Sequence, residues 1–285
     1  MLEVSTPLLA ETTVTDPHIQ SFEVGGATSS LYLQTSPEFA MKKLLAKGSG
    51  PIYSLGSVFR VGEFGALHRP EFAMLEWYRP GYSLGDLQRE VTDLIQRLTS
   101  DGHREFKAPI TVTYSRLFQQ HFGLNPHLAS IAELRAQVIQ HFPDYLEHID
   151  HQDPGEKDDL LEVLFSQKVQ PTLVEPHFVT EFPESQASLA RVSKADGQSV
   201  ALRVELYWQG LELANGYDEL RDAAELKQRI ERDNAIRHSR DLPTIDSDPE
   251  LLKSIELMPA CAGIAMGVDR LLMVLTGAHR IDDVL

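Results

Sequence analysis

The chain has 285 residues, 42% of them hydrophobic, which is enough for one large α/β domain or two small ones with a real core. Its 42 acidic residues outnumber 26 Lys and Arg, for a formal charge of −16, which argues against extensive binding of a polyanion while leaving room for a local basic patch. The single cysteine, Cys261, excludes an internal disulfide and a multi-cysteine zinc site, and reads as a small buried residue.

No leader of basic then apolar residues opens the chain, and Asp269 and Arg270 interrupt its longest weakly polar stretch, so no membrane span is expected and the cytoplasm is the default compartment. Leu31 and Leu33 alternate with polar positions, as in a strand. Ser36-Pro37-Glu38 reads as a helix start, with Ser36 as the cap, and that helix should end near Gly48. Ile52–Phe59 and Glu71–Tyr78 read as strands joined by a loop carrying Arg60, Glu63, His68 and Arg69. Leu84, Leu87, Val91, Leu94, Ile95 and Leu98 fall on one helical face.

Residues 101–175 read as an insertion of helices and loops, with apolar periodicity at Ile131–Phe142 and Leu160–Val169. Within it, His148, Asp150, His151 and Asp153 read as a solvated turn rather than a metal site. Val200–Tyr217 predicts a hairpin turning at Gln209-Gly210. Gly267–Thr276 predicts a helix with Val268, Leu271, Leu272 and Leu275 inward and Gly277 past its end. Long hairpins among helices give an α+β class, an antiparallel sheet flanked by helices.

Several residues carry chemistry by type and position. Arg60 and Arg270 supply forked, permanently charged groups suited to phosphate oxygens. Side chains at i and i+2 of a strand share a face, which pairs Glu76 with Tyr78 and aligns Asn215, Tyr217 and Glu219. With Glu38 nearby, three carboxylates, an amide and two phenols fit a ligand with two ammonium groups, because buried acids demand a cation. Glu205 and Glu212 flank the hairpin turn on one face, but Glu212 and Asn215 have opposite parity, so a bulge near Gly216 is expected.

Phe59–Tyr78 (FRVGEFGALHRPEFAMLEWY) and Gly263–Met273 (GIAMGVDRLLM) together resemble motifs 2 and 3 of the class II aminoacyl-tRNA synthetases. His68–Tyr82 (HRPEFAMLEWYRPGY) and Glu212–Leu220 (ELANGYDEL) are similar to the lysyl-tRNA synthetase branch, and most to its stand-alone paralogues, the ligases that join (R)-β-lysine to a lysine of elongation factor P. The likeness runs from Ser5–Leu9 (STPLL), similar to the end of motif 1, to the C-terminal DDVL. It implies one class II synthetase-like catalytic domain over residues 1–285, with the helical insertion at about 101–175 and no anticodon-binding domain. The long motif 1 helix of the family is missing from this sequence, which suggests trimmed termini, so a homodimer is expected where motif 1 is complete.

The resemblance also implies roles. Arg60 would meet the α-phosphate of ATP and Arg270 the far end of the triphosphate, the two being the catalytic pair. Gly62, Glu63, His68, Arg69, Glu212, Leu213 and Gly267 would complete the ATP site. Gly62 stands where the family has its motif 2 glutamate, and Glu63 is expected to take over that contact. Glu205 and Glu212 match the acidic pair that holds Mg²⁺ around ATP. Ser36, Glu38, Glu76, Tyr78, Asn215, Tyr217 and Glu219 would hold (R)-β-lysine or lysine.

The activity implied is adenylation of that amino acid and its transfer to elongation factor P, with no stable tRNA binding; Arg69, Arg79 and Arg116 are the candidate docking patch. Two alternatives stay open: an adenylating paralogue with another acceptor, tRNA or a carrier protein, and a non-catalytic amino-acid-binding regulator. Pocket chemistry alone says only that the ligand is a diamino acid.

Overall fold

Alternation of period two decides the architecture. The computed structural model describes residues 1–25, 30–100, 105–148 and 153–285. Its strands are β1 (Leu2–Glu3), β2 (Leu9–Ala10), β3 (Glu23–Gly25), β4 (Ser30–Leu33), β5 (Ile52–Phe59), β6 (Glu71–Pro80), β7 (Ile110–Thr113), β8 (His177–Pro183), β9 (Val192–Ala195), β10 (Gln198–Trp208), β11 (Leu211–Asp218) and β12 (Cys261–Gly267). Its helices are α1 (Glu38–Ala46), α2 (Leu84–Thr99), α3 (Tyr114–Phe122), α4 (Ile131–His141), α5 (Glu156–Leu164), α6 (Ala223–Ser239), α7 (Pro249–Leu257) and α8 (Val268–Thr276).

One sheet runs β1-β5-β6-β12-β11-β10-β8-β7, with β9 also on β10; β2, β4 and β3 form a small second sheet. The large sheet is antiparallel except at its edges, where β1 pairs parallel with β5 and β7 with β8. Every central strand sends alternate side chains to opposite faces. Trp77, Val204, Leu206, Ala262, Ile264 and Met266 pack against α2 and α8. The opposite residues, among them Glu76, Tyr78, Arg203, Glu205, Tyr217 and Gly263, face a cavity. Helices α3, α4 and α5 pack over the β8 side of that face, and α1, α6 and α7 over the β5–β6 side.

The predicted hairpin turns at Gln209 and Gly210, with φ of 56° and 72°, the paired left-handed conformation that suits a two-residue turn. The class is α+β, as expected from the sequence. Some details differ. Residues 110–113 form an edge strand where only helices and loops were expected, because β8 offers them a parallel partner. On α8 the buried apolar residues are Leu271, Met273 and Val274, with Leu275 packed against the same core as expected, while Leu272 is exposed, a phase set by the seat of the helix on β6 and β11. On α2 Leu98 is exposed, one turn beyond the end of the buried stripe. The stretch containing Asp150 and His151 lies outside the described residues, whereas Asp153 is buried and accepts from Arg240 Nε at 2.5 Å. Among the described residues no helix is long and apolar enough to cross a membrane.

Candidate active site

The uncovered middle of the sheet forms the floor of a cavity of about 630 Å³. Every residue assigned from the sequence to the ATP, metal or amino-acid site lines it except Gly62, which stands in the β5–β6 loop with φ 82°, serving the turn.

One end is cationic. Arg60 follows the last residue of β5; its Nε donates to Thr35 O at 3.4 Å, its guanidinium lies 5.1 Å from the centre of the Phe72 ring, and Glu63 Oε1 is 3.5 Å from its Nη1. Arg270 reaches the same end from the first turn of α8, donating to Glu212 O at 3.1 Å and meeting His68 Nε2. Burial, and then the charge of Arg270, lower the His68 pKa, so the imidazole is neutral and accepts from Arg270. Asp269, buried beside it, accepts from Ala73 N at 2.8 Å and ties α8 to β6. Gly267 precedes α8, and a side chain there would meet nothing nearer than Arg270 Cβ at 4.0 Å. Arg69 is already paired with Asp282.

The other end is acidic and almost closed. Ser36 does not cap α1, whose N-cap is Pro37; its hydroxyl accepts from Glu38 N at 3.0 Å and donates to Glu76 Oε2 at 2.6 Å. Tyr78 donates to Glu76 Oε1 at 2.6 Å. Burial and then the Glu38 charge push Glu76 up to about 7. Burial, opposed by Lys42 but aided by Glu38 and Glu76, pushes Glu219 up to about 8.

The acids do not wait wholly for an outside cation. Lys42, fully buried, places Nζ 2.7 Å from Glu38 Oε1 and 2.7 Å from Glu219 Oε2. Sequence reasoning missed it, although its spacing of four from Glu38 on a predicted helix was visible. Gly263 was missed as well: a Cβ there would run into the Tyr78 ring and Glu219 Oε1, so only glycine leaves both side chains in place. Asn215 Oδ1 is buried without a hydrogen-bond partner, an acceptor left for a ligand donor.

Glu205 lies between the two ends. Arg203 pairs with one of its oxygens and Tyr207 donates to the other. Arg203 is itself sandwiched between Phe182 at 4.7 Å and Tyr217 at 5.9 Å. Burial, opposed by Arg203 and reinforced by Glu212, raises Glu205 to about 7. Among the described residues no group of three or more His, Cys, Asp or Glu is arranged to hold a metal alone. Glu212 is the more open carboxylate of the pair, with Arg270 Nη1 at 4.0 Å.

The expected bulge is present, but at Leu213. Leu206 pairs with Ala214 and Tyr207 with Glu212, leaving Leu213 as the extra residue, so Glu212 and Asn215 both face the cavity. Arg69, Arg79 and Arg116 do not share one element: Arg69 precedes β6, Arg79 is its penultimate residue, about 30 Å away at the usual rise per residue, and Arg116 is on α3.

The model of the family "tRNA synthetases class II (D, K and N)" matches residues 1–285. The chain is similar to proteins named elongation factor P–(R)-beta-lysine ligase. It is 45% identical to that of Mannheimia succiniciproducens over 294 residues, and 43% identical to those of Salmonella arizonae and Yersinia pestis. Each match covers 100% of this chain and 87% of the relative.

Proposed function

The chain belongs to the class II tRNA synthetase family, and from that premise we propose that it is an ATP-dependent ligase which adenylates (R)-β-lysine, or lysine, and passes the acyl group to a lysine ε-amine of elongation factor P. The observation that carries the reading is one cavity with arginines at one end and, at the other, three carboxylates, two of them paired with one buried lysine.

Two displacements make up the reaction. A carboxylate oxygen of the amino acid attacks the α-phosphorus of ATP, and the bond to the leaving pyrophosphate breaks. The acceptor amine then attacks the acyl carbon, AMP leaves, and an amide results. Neither step needs a protein nucleophile. Arg60 would meet charge growing at the α-phosphorus, and Arg270, steadied by Glu212 O and His68, would meet the departing pyrophosphate. The acidic end would fix the two ammonium groups and so hold the carboxylate in line with phosphorus.

Mg²⁺ suits the donor set, with hard carboxylates beside a phosphate site, and would neutralise charge on the triphosphate. Glu212 is the principal ligand in this reading, since Arg203 and Tyr207 already hold Glu205. A homodimer through the N-terminal segment fits the exposure of Leu2, Leu8, Leu9 and Leu55. A translation-linked activity also fits the cytoplasm.

The test is ATP–pyrophosphate exchange with β-lysine, lysine and other amino acids, followed by intact-mass measurement of elongation factor P incubated with enzyme, ATP and β-lysine. Exchange driven by a diamino acid together with one added lysyl mass supports the proposal. Efficient charging of tRNA with no mass gain on the protein acceptor would replace it with a minimal synthetase.

A further inference from the structure

The buried ammonium of Lys42 takes part in neither displacement. It does not reach the cavity wall, whereas both of its carboxylate partners do. Glu38 and Lys42 sit one turn apart on α1, and Glu219 follows the end of β11, so the lysine braces two walls of the pocket from behind. The groups that face this cluster are Glu76 and Tyr78 from β6, Tyr217 from β11 and Cys261 from β12. Among these and its two partners, Lys42 alone carries positive charge. Burial by itself would strip its proton, but Glu219 and Glu38 outweigh burial and hold it above its ordinary range. Once Glu38, Glu76 and Glu219 are ionised, three carboxylates face one ammonium, and two negative charges remain.

We infer that Lys42 is a positioning residue that sets the charge demand of the amino-acid pocket: it holds Glu38 and Glu219, cancels one of their charges, and leaves a site that two ammonium groups neutralise and one does not. The inference rests on the proposal that the pocket takes a diamino acid. An amino acid with a single ammonium would leave a carboxylate buried without a counter-charge, a state that is expensive in a closed site. Selection of β-lysine over a chain of the same length without the second ammonium would then come from this arithmetic as well as from shape.

The experiment compares wild type, Lys42→Met, Glu219→Gln and the double variant. For each, ATP–pyrophosphate exchange gives the ratio of kcat/KM for β-lysine to that for 3-aminohexanoate, its analogue without the ε-ammonium. Glu219→Gln leaves one negative charge, and its ratio should fall roughly tenfold or more. The double variant restores two negative charges without the lysine, and its ratio should recover most of that loss. Lys42→Met should weaken β-lysine binding about tenfold while ATP binding changes little. If Lys42→Met does not fold, the comparison of Glu219→Gln with the double variant decides alone. A double variant no more selective than Glu219→Gln would overturn the inference and leave Lys42 a structural brace. A wild-type chain that activates no diamino acid would instead sink the proposed function.

Discussion

Glu205 stands directly across the β10–β11 ladder from Asn215, because Leu213 is an extra residue between Glu212 and Ala214. A regular ladder from the Gln209-Gly210 turn would have set Ala214 there. The bulge therefore puts three polar side chains on the cavity face and leaves Leu213 without a Cα partner in either neighbouring ladder. Leu213 lines the cavity, and in the proposed function its backbone, outside the regular ladder, would meet the nucleotide base.

Deleting Leu213 is the corresponding test. The shortened strand pairs regularly while keeping Glu212 and Asn215 on the same face. Affinity for ATP should fall, and affinity for the diamino acid should be retained. Stability should drop by roughly 2–5 kcal/mol, since a fully packed leucine is lost. Calorimetric binding of each substrate separates the effects; equal loss of both would show that the bulge serves the whole pocket.

Arg270→Ala removes a guanidinium that Glu212 O and His68 hold in place. The missing charge-assisted contact is worth roughly 1.5–3 kcal/mol, a fall of about 10- to 150-fold in kcat/KM for ATP. His68 loses the neighbouring positive charge that helps keep it neutral, so its pKa should rise in the variant, which NMR titration of the imidazole would detect. Unchanged pyrophosphate exchange would remove α8 from the chemistry.

Much of this site was legible because its signals are local. Alternation placed Glu76 with Tyr78, the turn chemistry fixed Gln209-Gly210, and both bounds of β5 follow from its apolar run. What stayed hidden depends on distant partners. A lysine on a helix ordinarily reads as a solvated residue, and only the approach of Glu219, far along the chain, makes Lys42 part of a pocket. The bulge was demanded by parity, but its position follows from the packing of Leu213 and Ala214 together against the α2–α8 side. Gly263 carries no signal in one sequence, since its need for no side chain arises from Tyr78 and Glu219.

Gly263→Ala tests that close approach. The added methyl must displace the Tyr78 ring or the Glu219 carboxylate, at a cost of roughly 1–3 kcal/mol in stability. Diamino-acid activation should fall sharply while ATP binding persists, because the cationic end of the cavity, with Arg60, His68 and Arg270, lies beyond the far end of β12. Thermal melts with and without each substrate would read both effects. A melt shifted by β-lysine as strongly as in the wild type would show that the pocket relaxes around the methyl.

Glu76 and Glu219 titrate at about 7 and about 8 in the folded chain, above their usual 4.5, mainly because burial penalises the charged forms. The folded state thus holds more protons than the unfolded state between about 4.5 and 8, so the stability of the free protein contributed by these groups falls as pH rises through that window. A ligand with two ammonium groups prefers the ionised carboxylates and binds with release of protons. Its affinity should therefore rise from pH 6 to pH 8, by up to about tenfold per unit for each proton released. The rise in melting temperature caused by β-lysine should grow over the same range. Glu76→Gln should flatten the lower part of this profile, near pH 7, while leaving the ATP profile alone. Binding calorimetry in buffers of different ionisation enthalpy counts the protons directly; a count of zero at pH 7 would mean that the pocket acids are already ionised before the ligand arrives.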